Sequence, residues 1–449
     1  LSRQMEYDAD LHQVRLVGGE TFAGTFQCLA RLSIGEEHAW KDLGERRNEG
    51  LLPENMPDLI ALFATQLTES GERAVSEGLA ADRTALFDTH PSTSDRIVRG
   101  KAGGGTPVCV SKEPASRLFA DFRRTARDMS LEAYAEALGG EVAPQELRPV
   151  AEIAEERRAR SASSAAVRRC IGDNLNPHLS IPGTRGPLRA SAEECRAAIL
   201  ETGRTLRASP PLPTSMHEEL WKPLGEYLKS TLLEALVAEG MTYEDTNGRV
   251  TLQTPEEVEE YRRRTWADVE TVSKPYRERI EVVDRRVRAA TGWLASTEAA
   301  AIGADRRNEA ARVSRALSSL AARRRDWVAV VTHYDAMKMA FDRIANTEPD
   351  APIRRVLARL VEGAAGQLDG IRAALADEPY PFDGSGAGAT LGTYLLPEPA
   401  PADRPDLVFY AASRVYGRYP YLVRRSLGVL LIHADEVEAA IGRGTTGRP

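Results

Sequence analysis

Glu6 and Asp10 stand one helical turn apart in the opening stretch SRQMEYDAD (residues 2–10), with Arg3 a turn earlier. Side chains four positions apart share one face of a helix, so the two carboxylates would emerge together. One chemistry that uses such a pair is a peptidase-type zinc site. Two histidines four apart on one helix, with a general-base Glu between them, need a third protein ligand from elsewhere. When that ligand is a Glu on a second helix, an Asp one turn later can accept the N–H of a ligating histidine and hold its tautomer. In such a site Arg3 would brace Glu6. The plain alternative is a solvated helix face, on which Arg3 and Glu6 form an i, i+3 pair worth about 0.2–0.5 kcal/mol.

A second stretch, DTHPSTSDRI (88–97), carries His90 and Arg96. Taken alone, His-Pro-Ser ahead of Asp95-Arg96-Ile97 is an ordinary helix start. Together the two stretches resemble a known family. SRQMEYDAD is similar to the S-R-x-x-E-x-x-A-D segment of the membrane-associated zinc metallopeptidases related to HtpX and the CAAX prenyl proteases. Thr89, His90, Pro91, Arg96 and Ile97 match that family's T-H-P-x-x-x-x-R-[IL] loop in the expected order. PASRLFADF (114–122) is a softer match to segments of large bacterial members. The resemblance covers residues 1 to about 120 and gives little beyond 145.

The resemblance implies distinct roles. Glu6 would be the third protein ligand of one zinc ion, Asp10 would orient a ligating histidine, and Arg3 would support Glu6. His90 would sit at the mouth of the cleft, within reach of the zinc, and Arg96 would anchor the loop. The intact enzyme would hydrolyse peptide bonds in membrane or misfolded proteins, and its transmembrane helices would place it at a membrane. The chain departs from the family in one decisive respect: no H-E-x-x-H occurs in its 449 residues. The two zinc-binding histidines would lie on the N-terminal side of Glu6, outside this chain. A single carboxylate, with or without His90, does not hold catalytic zinc tightly, so the chain by itself is expected to be inactive. The other expectation is a non-catalytic helical scaffold of the same descent.

Other candidate motifs fail on spacing. HEELW (217–221) begins like a zinc-protease helix, but Trp221 stands where the second histidine is required. GSGAG (384–388) lacks dinucleotide-turn spacing and follows PYPFD, which is no strand. Gly100-Lys101 lacks the rest of a P-loop. Cys28, Cys109, Cys170 and Cys195 form no C-x-x-C pair and read as isolated, buried, reduced thiols.

Helical periodicity dominates the elements that must position these residues. Met5, Ala9, His12 and Leu16 make one stripe of a helix over 2–17, and further helices are expected at 21–33, 57–70 and 72–86. GKAGGGTP (100–107) is a break. Residues 114–140 read as two short helices, the second capped by Ser130. Residues 171–190 and 208–215 read as irregular connections. The span 255–346 is charged and helical, interrupted at Pro275 and Gly303. Within it, positions from Val313 to Phe341 alternate spacings of four and three, a heptad seam broken by Arg324 and Lys338. A helical hairpin packed on its own domain explains that seam, and self-association through 304–346 is the alternative. After PEPAPADRP (397–405) a short final helical segment is expected.

A net charge of −7 argues against nucleic acid as the main partner, and the family resemblance implies a protein or peptide substrate. No run reaches the roughly 18 to 20 apolar residues of a spanning helix, so this chain alone reads as soluble. The expected fold is mostly α: the C-terminal part of a helical zinc metallopeptidase domain (1–110), then a long α-helical extension. That extension divides by composition into 111–207, 208–346 and 347–449.

Overall fold

The computed structural model describes residues 2–47, 52–85, 88–104, 106–109, 111, 113–138, 147–173, 175–183, 185–244, 251–346, 351–382 and 388–446. Among them the fold is mostly α, with two short strand pairs. The chain divides once, into two compact units, Leu1–Ala154 and Glu155–Pro449. Composition suggests four segments. Most buried apolar residues after 155 belong to one large core, with a smaller cluster around Leu224, Leu228 and Val269, because no one of these helices can bury its stripe alone.

The first unit begins with α1 (Ser2–Val17) and α2 (Gly19–Arg47), the latter extending well past the expected 33. The helices α3 (Met56–Thr65) and α4 (Glu69–Ala81) are capped by Asn55 and Thr68. The Ser92 hydroxyl caps α5 (Thr93–Ala102) by accepting from the Asp95 N–H. Gly100 lets α5 approach α2, since a Cβ there would lie 2.5 Å from the Phe22 ring. In place of the expected pair, a short 3-10 turn (Ala115–Leu118) precedes one continuous helix, α6 (Phe122–Leu138), that runs through Ser130. Its sequence holds no Gly or Pro to break it, and Ser130 serves mid-helix rather than as a cap. The Ser130 hydroxyl donates to the Ala126 carbonyl (2.6 Å) and accepts the Met56 N–H (2.8 Å). Strands β1 (Leu52–Pro53) and β2 (Leu147–Arg148) pair in parallel, closing a core that includes Leu59, Phe63 and Tyr134.

The division between units falls within α7 (Val150–Ile171). The second unit then contains α8 (Ala192–Ala208), α9 (Ser215–Ala238), an antiparallel pair β3 (Tyr243–Glu244) and β4 (Thr251–Leu252), and α10 (Pro255–Val272). It continues with α11 (Lys274–Leu294), α12 (Ala304–Ala322), α13 (Arg324–Asn346), α14 (Ala351–Ala374), α15 (Leu391–Leu395) and α16 (Pro405–Thr446). Capping boxes Ser191/Glu194 and Thr254/Glu257 set the starts of α8 and α10.

The heptad seam is not one helix. It breaks at Arg323, so that α12 lies chiefly on α16 while α13 packs on α9, α14 and α16. Val313, Leu317, Leu320, Trp327 and Val331 are fully buried inside their own unit. Tyr334 and Phe341 of the same seam are half-buried. The final segment is 42 residues long, because Val408, Val415, Leu422, Leu430 and Val437 recur at helical spacing and are all buried. That packing overrides Pro420, which removes one N–H and crowds the carbonyl four residues earlier. Gly428 on α16 packs against the backbone of Ser163, where a Cβ would overlap the carbonyl oxygen.

Cys170 and Cys195 are buried, whereas Cys28 and Cys109 are exposed, correcting the expectation of four covered thiols. In HEELW, His217 packs edge-on to Trp221. Of GSGAG, residues 384–387 lie outside the described residues. No described helix is long and apolar enough to cross a membrane.

Two outcomes follow from this packing. Gly428→Ala should destabilise the second unit by about 1–3 kcal/mol, read by urea unfolding of tryptophan fluorescence, since four of the five tryptophans (221, 266, 293, 327) lie there. The His178 ring, between Trp221 and Trp327, has its pKa lowered from 6.5 to about 4 by burial and then by Arg324. The folded state keeps it neutral where the unfolded chain protonates it. Its contribution is thus complete above about pH 6.5 and falls by about 3 kcal/mol as the pH drops to 4. Unfolding at pH 7.5 and 4.5 should show a smaller acid loss in His178→Gln than in the parent.

Candidate functional site

Helix α1 presents Glu6 and Asp10 on one face, as their spacing requires. The loop ahead of α5 carries His90, and α5 carries Arg96 in its first turn. That start is held by side chains from the preceding connection. The Ser92 N–H donates to the Thr84 hydroxyl (2.8 Å), the Thr93 N–H to Asp82 (2.6 Å), and the Thr84 hydroxyl to Asp95 (2.5 Å). The hydrogen bonds from Thr84 and then Ser92 hold the Asp95 carboxyl below its ordinary range.

Two stretches some 80 residues apart in sequence meet here. The His90 Nδ1 contacts a Glu6 carboxylate oxygen. Arg96 grips Asp10 with two parallel hydrogen bonds, Nε to Oδ2 at 2.9 Å and Nη2 to Oδ1 at 2.7 Å. Its third nitrogen, Nη1, lies 3.8 Å from the other Glu6 oxygen. The guanidinium also lies over the Phe26 ring, 5.1 Å from its centroid. The Asp10 hydrogen bond raises the Arg96 pKa against the effect of burial. One arginine thus binds Asp10 and lies close to Glu6.

The side chains differ in their access to solvent. His90 is 74% exposed, Glu6 is partly covered, and the Asp10 side chain is 7% exposed. Arg3 makes no hydrogen bond or ion pair among the described residues, and the support expected of it comes from Arg96 instead. Asp10, expected to orient a histidine, has both oxygens engaged by Arg96. The reason is reach: a guanidinium fork matches a carboxylate edge-on, and α5 lies directly against α1.

Zinc is borne by sets of three or four nitrogen, sulfur or oxygen ligands. Glu6 and His90 are donors of suitable type, one carboxylate and one imidazole. Their number falls short, and no cluster of three or more such side chains occurs among the described residues. The donors present do not hold zinc by themselves. Sequence spacing does not reveal the Arg96–Asp10 pair or the Thr84, Asp82 and Asp95 hydrogen bonds behind it. The only local signal is Asp95 three residues after Ser92, the spacing of a helix cap.

No family model, curated protein or solved structure matches this chain.

Arg96→Gln should destabilise the first unit by about 1–3 kcal/mol, since it leaves the buried Asp10 carboxylate short of its partner. Arg96→Lys should recover only part of that loss, and Arg3→Ala should be neutral. Hydrogen-exchange mass spectrometry of peptides from α1 and α5 reads all three. Equal protection in Arg96→Gln and the parent would overturn the assignment of Arg96 as the clamp.

Proposed function

We propose that residues 1 to about 110 supply the carboxylate portion of a zinc metalloendopeptidase site, with Glu6 as the ligand contributed by this chain. The observation that carries this is the convergence of two motif-like stretches. Glu6 of SRQMEYDAD and His90 of DTHPSTSDRI are in contact, and Arg96 spans Glu6 and Asp10. The resemblance to the HtpX and CAAX prenyl protease family calls for both stretches at one site. When bound in full, zinc would supply Lewis-acid chemistry for hydrolysis of a peptide bond in a protein substrate. What this chain contributes is orientation. Arg96, anchored on Asp10, lies 3.8 Å from the Glu6 carboxylate, and His90 contacts that carboxylate at the solvent edge. The remaining ligands, an H-E-x-x-H pair of imidazoles, must come from outside these 449 residues. Membrane association belongs to the same proposal and rests on the family resemblance alone.

A specific observation also supports a non-catalytic helical protein. Glu6, Asp10, Arg96 and His90 engage one another, as the members of a structural ion-pair network do.

The two differ in what Glu6 does. The DNA encoding residues ahead of Leu1 is read for H-E-x-x-H, and a frame lacking it there sinks the enzyme proposal. On a product carrying both segments, Glu6→Gln should lower zinc content and cut proteolysis by about 100-fold or more. Zinc content equal to the parent would assign Glu6 to the structural network instead.

A further inference from the structure

A cavity of about 450 Å³ opens in the second unit between α9, α10, the first turns of α13 and the connection around residue 178. Small-molecule sites span about 300–1,000 Å³. Three properties of its lining point to one kind of ligand.

The first is charge. Arg262, Arg324 and Arg325 line the cavity and, among the described residues, no acidic side chain does, on a chain whose net charge is −7. Arg262 is already engaged by Glu234 (2.5 Å) and Glu259 (2.9 Å). Arg324 uses Nη1 to donate to the His178 carbonyl (2.5 Å). Arg325 makes no hydrogen bond or ion pair among the described residues. Both arginines open α13, where the helix dipole adds positive potential.

The second is shape. Tyr227 and Trp266 form an aromatic wall, their ring centroids 4.9 Å apart at 52°. Leu224 and Val328 continue the apolar surface.

The third is an orphan. His178 lines the same cavity and is only 6% exposed, yet its ring makes no hydrogen bond among the described residues. Buried polar atoms without a partner are uncommon, and each invites an explanation. A neutral imidazole offers one donor and one acceptor.

We propose that this cavity binds a small planar anion, an aromatic ring stacked on Tyr227 and Trp266 whose carboxylate or phosphate is held by Arg324 and Arg325, with His178 as a hydrogen-bond partner. A guanidinium fork matches both head groups, and flat apolar walls favour a flat ligand. The proposal involves binding alone and is independent of the zinc site in the first unit.

Calorimetry on the full chain tests it with adenosine 5′-monophosphate and indole-3-acetate, against adenosine, indole, inorganic phosphate and acetate. One of the two ring-bearing anions should saturate at one per chain, with Kd near or below about 100 µM. It should bind at least about ten-fold tighter than its uncharged ring or its bare head group. Whichever saturates identifies the head group. Arg325→Gln removes an unpaired surface arginine, so the fold is expected to stand, and binding should weaken by about ten-fold. On the parent chain, titration should move the Trp266 indole N–H resonance, a readout that needs no variant. Failure of both anions to saturate below about 1 mM would overturn the proposal. So would binding that is indifferent to Arg325→Gln and leaves Trp266 unmoved.

Discussion

The geometry of the N-terminal site rests on one ion pair, the two-pronged grip of Arg96 on Asp10. Asp10 is the buried polar residue of α1, and a carboxylate taken from water must be matched by charge and hydrogen bonds together. Arg96 meets both needs. In doing so it sets the register of α5 against α1, and the loop leading into α5 brings His90 to Glu6. Close approach at Gly100 and the hydroxyl network of Thr84 and Ser92 hold α5 from its other sides.

The second unit solves the same problem on a larger scale. Its long helix α16 is buried along most of its length and still carries charged groups, each matched locally. Arg425 reaches Glu156 at 3.1 Å and lies over the Phe382 ring, 4.0 Å from its centroid. Arg286 on α11 is fully buried, with Asp435 and Glu438 of α16 at 2.7 and 2.6 Å. Such pairs add little net stability over an apolar replacement, yet removing one partner leaves a buried charge facing the full cost of desolvation. They fix how α16 sits among its neighbours.

Several features were legible in the sequence because they are local. The α1 helix over 2–17, the breaks at Pro275 and Gly303, and the irregular stretches after 171 and 208 follow from periodicity and from Gly and Pro chemistry. The charge of Arg324 within an apolar seam was likewise visible. Its meaning was not: the seam breaks at Arg323, and Arg324 turns into a cavity. Ser130 misled for a physical reason. Local preference ranked it as a cap, but burial against a partner distant in sequence decided otherwise.

The sequence by itself determined that the chain is helical and that Glu6 and Asp10 share a face, since both depend only on the 3.6-residue turn. Which partner each carboxylate would take was a tertiary matter. Asp10 could have oriented a histidine, and Arg3 could have braced Glu6, on spacing alone. Instead Arg96, 86 positions from Asp10, engages the one and approaches the other. Only packing α5 against α1 brings such distant groups within hydrogen-bond reach. That packing depends on apolar contacts and close approach at Gly100, which spacing along a single stretch does not record.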